Sequence, residues 1–196
     1  IKKVVFELSI LSWKRYAESL GSLQHNWLHT AKRMANELCV ADSAGLQLSH
    51  HKFIVAVLLV AKRLKKLLLG QNNIGLMLPT SAAGAIANMS VLTLGKTVVN
   101  LNYTAGVDAV VSAISAANIK TIVSAHVFVK KLKSRGIDWD AMVGDTKIIY
   151  LEDIKKQNST RVALRFLLYV KLLPCFILDL LFMKNVPGDK TAAIMF

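Results

Sequence analysis

The middle of the chain, from Asn73 to Ile154, alternates short apolar runs with helical patterns, and this alternation limits the possible folds more than any other feature. The apolar runs are NIGLMLP (73–79), KTVVNLN (96–102), IKTIVSA (119–125) and TKIIYLEDI (146–154), and helical patterns lie between them at 80–95, 105–118 and 126–136. Continuously apolar strands separated by helices are typical of a parallel sheet that is buried on both faces. The sequence therefore predicts an α/β fold, with a mostly parallel sheet and helices on both faces.

The region before this sheet predicts an N-terminal helical extension and a β-hairpin. Residues 1–36 have apolar positions at helical spacing, interrupted at Leu20-Gly21-Ser22. The stretch CVADSAGLQLS (39–49) places two short alternating runs around Ser43-Ala44-Gly45, which is typical of a hairpin. Ser49 is the expected N-cap of the next helix, HHKFIVAVLLVAKRLKKLL.

The segment 159–184 is rich in apolar residues but is not expected to span a membrane. Four residues between 162 and 183 are neither apolar nor aromatic: Arg165, Lys171, Pro174 and Asp179. Three charges and a central proline are unfavourable in a spanning helix. We expect a pair of helices that lies at a membrane interface or under a partner, with ordinary packing on the sheet as the alternative.

The last twelve residues, NVPGDKTAAIMF (185–196), predict a Pro-Gly turn followed by a short apolar strand. Such strands usually lead to a loop at the carboxyl edge of a sheet. Here the chain ends at Phe196.

Charge and cysteine content indicate the kind of partner and compartment. The chain has 196 residues and a net charge of +13, which favours anionic partners such as acidic proteins, phosphates or acidic lipids. Basic residues are not interleaved with aromatic ones, so we do not expect nucleic acid as a partner. The N-terminus does not resemble a signal peptide, and Cys39 and Cys175 form no recognisable disulfide pattern, which favours a reducing compartment.

No catalytic or metal-binding motif is evident from the residues. Gly95-Lys96-Thr97 resembles the end of a phosphate-binding P-loop, but it leaves a helix and enters a strand, so Gly95 is predicted to cap the helix instead. GxGxxG and GxSxG motifs are absent, and we expect turn and cap roles for the acidic residues at 138, 140 and 145. His25 and His29 could share a helix face, yet no third ligand is near them in sequence.

The order of these segments resembles the N-terminal part of acyl-adenylate-forming (AMP-binding) ligases. More narrowly, it is similar to the acyl-acyl-carrier-protein synthetase part of bacterial 2-acylglycerophosphoethanolamine acyltransferases. The most specific signal is LGKTVVNLNYTAG (94–106), in which Gly95, Asn100 and Asn102 match architectural positions of the family, and LQLS (46–49) matches its early Leu-Ser/Thr-Tyr motif with His50 in place of the aromatic residue. The likeness implies that 23–196 is the N-terminal part of a ligase domain and that 1–22 is a linker or the end of a preceding domain.

The resemblance also implies a reaction. A fatty acid would react with ATP, assisted by Mg²⁺, to give acyl-AMP, and the acyl group would pass to the thiol of an acidic acyl carrier protein during phospholipid acyl-chain recycling. In the family, TAAIMF (191–196) precedes the phosphate loop, so the catalytic, cofactor-binding and metal-binding residues would follow Phe196 in the missing C-terminal part. The resemblance thus implies an inactive fragment of an enzyme that works in the bacterial cytoplasm, peripheral at the inner membrane.

Two other functions compete with this one. The chain could be a non-enzymatic, basic, peripheral membrane-binding α/β module, which rests on the charge and on segment 159–184. An oxidoreductase on a related open sheet is disfavoured, because the glycine fingerprint for a dinucleotide is missing.

Overall fold

The computed structural model describes residues 2–43 and 45–196, and for residues 17–20 it describes the backbone alone. The N-terminal region contains α1 (Lys2–Leu20), α2 (Leu23–Arg33), β1 (Leu38–Ala41), β2 (Gln47–Ser49) and α3 (His50–Leu67). The strands β1 and β2 are antiparallel, which confirms the hairpin, although Ala44 at its turn lies outside the described residues. Ser49 occupies the predicted N-cap position of α3, and its side chain makes no capping hydrogen bond there.

The central region contains β3 (Asn73–Leu76), α4 (Ala82–Thr93), β4 (Thr97–Asn100), α5 (Val107–Ala116), β5 (Thr121–Ser124), α6 (His126–Ser134), α7 (Trp139–Val143), β6 (Lys147–Tyr150) and α8 (Leu151–Lys156). The alternating pattern is confirmed, with two differences. The strand predicted at 146–154 ends at Tyr150, because the acidic Glu152 and Asp153 favour the first turn of a helix. The short helix α7 was not predicted, and Asp138 caps it by accepting a hydrogen bond from Ala141 N at 3.0 Å.

The C-terminal region contains α9 (Thr160–Leu172), α10 (Cys175–Phe182) and β7 (Ala193–Met195). The helix pair predicted at 159–184 is therefore present, and Pro174 separates its two members as the N-cap of α10. The strand predicted after the Pro-Gly turn is also present. No helix in the described residues is long and apolar enough to cross a membrane.

The five central strands form one parallel sheet in the order β6-β5-β3-β4-β7. The first strand of the sheet, β3, lies in its middle, with β4 on one side and β5 on the other. The last strand, β7, pairs with β4 through Val98↔Ala193, Val99↔Ile194 and Asn100↔Met195, and it forms one edge. Parallel neighbours need crossover connections, and the helices supply them.

Alternate residues of each strand point to opposite faces, and each face is covered by helices. Val99 and Ile122 contribute to a buried cluster with α5, α6 and α7, whereas Val98 and Val123 contribute to a second cluster with α3, α4 and α8. This arrangement confirms the predicted α/β class with helices on both faces.

A third cluster lies on the outer side of α3. Ile54 and Leu58 of α3 pack with residues of α2, α9 and α10, including Phe166 and Leu178. The helix pair α9–α10 therefore packs on other helices, and the alternative that it packs directly on the sheet is wrong.

The N-terminus of α3 carries a histidine close to this third cluster. Partial burial lowers the pKa of His51, and the positive charges of Lys32 and Lys171 lower it further. The protonated form of His51 is therefore disfavoured in the folded chain.

Candidate functional site

The strand order identifies the place where a ligand would bind. From β3, the chain first adds β4 on one side and then crosses to add β5 on the other side. In open α/β sheets, the crevice beyond the carboxyl ends of the strands at such a reversal is the usual binding site. In this chain it lies beyond β3 and β5.

A cavity of about 370 Å³ lies at this position. Its walls come from the loop after β3 (78–81), Tyr103 after β4, helix α6 with the residue before it (125–135), and Asp42 and Ser43 of the hairpin. Pockets of this size at a topological reversal are typical of small-molecule sites. We therefore take this cavity, which we call the switch-point cavity, as the candidate site.

Hydrogen bonds hold the hairpin and the loop after β3 in place around the cavity. The carboxylate of Asp42 accepts hydrogen bonds from Leu46 N at 3.1 Å and from Ala82 N at 3.2 Å. The second contact joins the hairpin to the first turn of α4, and Ser81 caps that helix by accepting from Gly84 N at 3.2 Å. Segment 78–83, which forms one wall of the cavity, is thus held by the hairpin through Asp42 and by the capping hydrogen bond of Ser81.

The remaining walls combine apolar surface with two cations. Phe128 and Leu132 of α6 are buried, and the ring of Phe128 packs edge-on against Tyr103 with 4.9 Å between ring centres. Lys131 and Arg135, one helical turn apart, are both exposed and line the same cavity. Like charges at this spacing repel each other, so an anionic group near them would be favourable. The cavity can accept a partly apolar molecule that carries negative charge.

The three residues matched by the family resemblance do not lie together. Asn100 ends β4 on the carboxyl side, and its Nδ2 donates to Asn88 Oδ1 of α4 at 3.3 Å. Asn102 follows it and organises a turn, because its Oδ1 accepts from the backbone N and the hydroxyl of Thr104 at 3.1 and 2.7 Å. Gly95 precedes β4 and is therefore at the opposite, amino edge of the sheet.

Gly95 ends α4 in the left-handed conformation, with φ +68°. Gly95 N donates to Leu92 O at 2.8 Å and Lys96 N donates to Val91 O at 3.3 Å, which is the hydrogen-bond pattern of a Schellman cap. A Cβ at Gly95 would lie 2.7 Å from Lys184 Cγ and 2.8 Å from Val186 Cγ1. The glycine therefore also lets the chain that leads to β7 pass close to the end of α4.

This geometry excludes phosphate binding by the Gly95-Lys96-Thr97 backbone. Two of its amide groups donate within the cap, and Thr97 N donates to Asn72 O at 2.9 Å. The ammonium group of Lys96 donates to the carbonyl of Gln71, and burial together with the nearby Lys190 lowers its pKa. A phosphate cradle needs free N–H groups, and here all three are used.

Other polar groups near the strand ends make structural contacts. His126 at the start of α6 lies 3.0 Å from Asp153 Oδ2 and stacks on Tyr150, with 3.7 Å between ring centres. Glu152 Oε1 accepts from Val127 N at 3.3 Å. These contacts join the first turns of α6 and α8.

The structure also brings a carboxylate to His25, which the sequence did not indicate. Asp179 Oδ2 of α10 lies 3.1 Å from His25 Nδ1, joining residues that are far apart in the chain. Within residues 2–43 and 45–196, however, no group of three or more His, Cys, Asp or Glu side chains is placed to hold a metal ion.

The residues present do not fit an ATP phosphate or Mg²⁺ site. The described strand ends offer no glycine-rich loop between a strand and a helix, and the described part of the chain has no carboxylate cluster for a cation. We therefore assign no step that involves ATP or Mg²⁺ to residues of this chain.

Sequence reasoning missed the residues that line the cavity. Lys131, Arg135 and Asp42 come from elements distant in sequence, and their meeting depends on how the hairpin docks on the sheet. The carboxyl ends of parallel strands lie at the same edge of a sheet, so the segments after β3 and β5 could have been identified as walls of the site. The individual side chains that line the cavity could not.

Several solved structures have the same architecture as this chain, although their sequence identity to it is low. The N-terminal subdomain of Klebsiella oxytoca NpsA is 11% identical, with a TM-score of 0.59 over 71% of this chain and 33% of that one. The O-succinylbenzoate coenzyme A synthetase (MenE) of Bacillus subtilis, in complex with AMP, is 13% identical, with a TM-score of 0.56 over 68% and 33% of the chains. This chain therefore shares its fold with the N-terminal subdomain of NpsA and with part of MenE.

A third similar structure is the Mycobacterium tuberculosis fatty acyl CoA synthetase. It is 14% identical, with a TM-score of 0.54 over 68% of this chain and 27% of that one. The present chain thus spans about a third or less of the length of these structures. No family model matches the sequence.

Proposed function

We propose that this chain is the N-terminal part of an ATP-dependent ligase that activates a fatty acid as its acyl-adenylate. The observation that carries the proposal is the fold, a five-stranded parallel sheet between two helical layers. This fold is similar to part of a coenzyme A synthetase in complex with AMP and to part of a fatty acyl CoA synthetase. The element LGKTVVNLNYTAG supports it independently, through its resemblance to acyl-adenylate-forming ligases.

We further propose that the acceptor of the acyl group is an acyl carrier protein and that the enzyme serves phospholipid acyl-chain recycling. The net charge of +13 supports an acidic protein partner, since opposite charges accelerate association and favour the correct partner. The narrower resemblance to acyl-acyl-carrier-protein synthetases supports the same acceptor.

In this proposal, the described residues bind and position the reactants, and they do not carry out the bond-making step. The switch-point cavity offers Lys131 and Arg135 to an anionic group and buried apolar side chains to the remainder of a ligand. Asn102 and Gly95 shape the backbone on either side of β4. In acyl-adenylate formation a carboxylate oxygen would bond to the α-phosphorus of ATP and pyrophosphate would leave, and we assign no residue of this chain to that step.

The test uses the protein encoded by the complete reading frame that contains this chain. Purified protein is assayed for exchange of labelled pyrophosphate into ATP, with and without a fatty acid. We expect exchange that depends on the fatty acid, since acyl-adenylate formation is reversible. Absence of exchange over a range of chain lengths would contradict the ligase function.

The acceptor is tested separately with the same protein. Holo-acyl carrier protein and coenzyme A are supplied in turn, and the thioester product is measured. The proposal expects a higher kcat/KM for the carrier protein. A higher value for coenzyme A would leave the ligase function in place and overturn the carrier-protein acceptor.

A paired substitution tests the role of the cavity. Lys131→Gln with Arg135→Gln is expected to raise the KM for one anionic reactant by about tenfold or more, since a hydrogen bond to a charged group contributes roughly 1.5–3 kcal/mol. Lys120→Gln with Lys147→Gln removes the same charge from exposed positions outside the cavity and serves as the control. Equal effects of the two pairs on every KM would contradict a role for the cavity.

A further inference from the structure

The helix pair α9–α10 has an apolar inner face and an apolar outer face, and the protein covers the inner one. Phe166, Val170 and Leu178 are at most 5% exposed and pack in the cluster formed with α2 and α3. The opposite sides of both helices carry exposed large side chains. We call these residues the outer face: Leu164, Leu168, Leu172, Phe176, Leu180 and Leu181.

The outer face is arranged in rows along the helices. Leu164, Leu168 and Leu172 follow each other at four-residue spacing on α9, and Phe176 and Leu180 do so on α10, so each set lies on one side of its helix. Leu172 and Leu180 are 74% and 83% exposed. Rows of exposed apolar side chains of this kind are typical of an interaction site.

The charges beside the outer face have one sign. Arg161, Arg165 and Lys171 of α9 are exposed, and none of them forms an ion pair with another described residue. The single acidic residue between 159 and 184 is Asp179, which faces inward and lies 3.1 Å from His25 Nδ1. The outer surface of the pair therefore combines leucines with cations and has no carboxylate of its own.

We propose that the outer face binds an anionic lipid surface, with α9 and α10 lying in the plane of the interface. The two helices have 13 and 8 residues. At 1.5 Å per residue they measure roughly 20 and 12 Å, less than the roughly 30 Å of a hydrocarbon core. Acyl chains would cover the leucines and Phe176, while the long side chains of Arg161, Arg165 and Lys171 reach the phosphate groups.

Charge complementarity favours this occupant over a protein surface. A protein that covered the leucines would also enclose the cations beside them, and it would need a carboxylate for each one to avoid a large desolvation cost. A lipid interface supplies the apolar layer and the phosphate layer at adjacent depths, so both sets of side chains are satisfied. The net charge of the chain, +13, acts in the same direction.

The experiment is cosedimentation with lipid vesicles of the protein encoded by the complete reading frame that contains this chain, called the original protein below. The 196-residue chain is assayed beside it, and vesicle binding by that chain only, and not by the original protein, would overturn the proposal, because the rest of the protein would then cover the outer face. We expect binding to vesicles of phosphatidylcholine and phosphatidylglycerol, weaker binding to phosphatidylcholine alone, and a loss of affinity as salt is raised. Replacing Leu172, Phe176 and Leu180 together by serine is expected to lower the affinity roughly 100-fold or more, because three side chains no longer enter the acyl layer.

The contribution of the cations is measured with a second variant. Arg161→Gln, Arg165→Gln and Lys171→Gln together are expected to lower the affinity for the anionic vesicles by about fivefold per cation and to leave binding to phosphatidylcholine unchanged. Circular dichroism checks that each variant keeps the helical content of the original protein. All six substituted positions are on the surface, so they remove little packing.

Matched controls change the same kinds of residue elsewhere on the surface. Lys120→Gln, Lys130→Gln and Lys147→Gln remove the same charge from the region of β5, α6 and β6. Leu38→Ser, Leu69→Ser and Val111→Ser remove exposed apolar side chains from three other places. The proposal expects both control sets to bind the anionic vesicles like the original protein.

Two further results would overturn the proposal. The first is equal loss of binding in the control variants, which would reduce the effect to overall charge or hydropathy. The second is no vesicle binding by the original protein. If that protein is then an oligomer that the outer-face variants dissociate, a second copy occupies the outer face.

Discussion

Substitution of Gly95 tests whether this residue is needed for the backbone of the cap alone or also for the close passage of the chain beside it. Gly95 has φ +68°, and a Cβ there would lie 2.7 Å from Lys184 Cγ, 2.8 Å from Val186 Cγ1 and 3.0 Å from Lys184 Cβ. Placing alanine in left-handed backbone costs roughly 1–2 kcal/mol. Forcing a methyl group into a packed position adds about 1–3 kcal/mol. We expect Gly95→Ala to lower the free energy of unfolding by about 2–5 kcal/mol.

Gly136 provides a matched control, because it ends α6 in the same way. It has φ +77°, Gly136 N donates to Lys133 O at 3.1 Å, and Ile137 N donates to Leu132 O at 3.2 Å. A Cβ at Gly136 would meet nothing within 4 Å. Gly136→Ala is therefore expected to carry the backbone cost alone.

The assay is urea unfolding of both variants, followed by circular dichroism and fitted for midpoint and slope. The reduced entropy of the unfolded chain affects both alanine variants alike, so it cancels in the comparison. We expect Gly95→Ala to be less stable than Gly136→Ala by about 1–3 kcal/mol. Equal losses in the two variants would refute the close contact between the end of α4 and the segment that leads to β7.

Three further predictions concern the core and the pH dependence of stability. The folded-state pKa of His51 is lowered, so protonation of His51 opposes folding, and the free energy of unfolding should fall as pH drops from 6.5 through the folded pKa. In urea titrations at several pH values, His51→Gln should lose this part of the pH dependence. A pH profile of the variant that equals that of the original chain would contradict the prediction. Ser90 is fully buried, and its hydroxyl lies 2.6 Å from Ile86 O and 3.0 Å from Val57 O. Ser90→Ala should therefore lower the free energy of unfolding by about 1 kcal/mol, and an unaltered urea midpoint would contradict a stabilising hydrogen bond from this hydroxyl. A Cβ at Gly75 would lie 2.9 Å from Ile122 Cγ1, so Gly75→Ala should lower the free energy of unfolding by about 1–3 kcal/mol. A calorimetric melting temperature equal to that of the original chain would contradict the tight packing of β3.

The central sheet could be predicted from the sequence because its strands carry a strong local signal. Runs such as TVVN and TIVS are β-branched and apolar on both faces, which only a sheet covered on both sides accommodates. The end of β6 was placed too late, because Leu151 and Ile154 continue the apolar pattern while Glu152 and Asp153 favour a helix start. Local patterns fix the existence of an element better than its ends.

The orientation of the helix pair α9–α10 could not be predicted from the sequence. Apolar residues occur on all sides of both helices, so periodicity alone does not select the side that packs inward. The structure places Phe166 and Leu178 inward because the outer side of α3 offers Ile54 and Leu58 as partners. That choice depends on tertiary contacts between segments that are far apart in the chain.

The candidate site was the least predictable part. Gly95, Asn100 and Asn102 stand close together in sequence, yet the structure places Gly95 at one edge of the sheet and the two asparagines at the other. The cavity instead depends on Asp42 of the hairpin meeting the first turn of α4 and on two cations of α6. No local sequence pattern predicts these contacts, because each of these residues taken alone is an ordinary turn or surface residue.

The proposal that this chain is part of an adenylating ligase is tested most directly by reading the coding DNA that follows the codon for Phe196. The account predicts a Ser/Thr/Gly-rich stretch that ends in Pro-Lys-Gly, because β7 would lead directly into a phosphate-binding loop at the carboxyl edge of the sheet. An in-frame continuation without such a stretch would contradict the account.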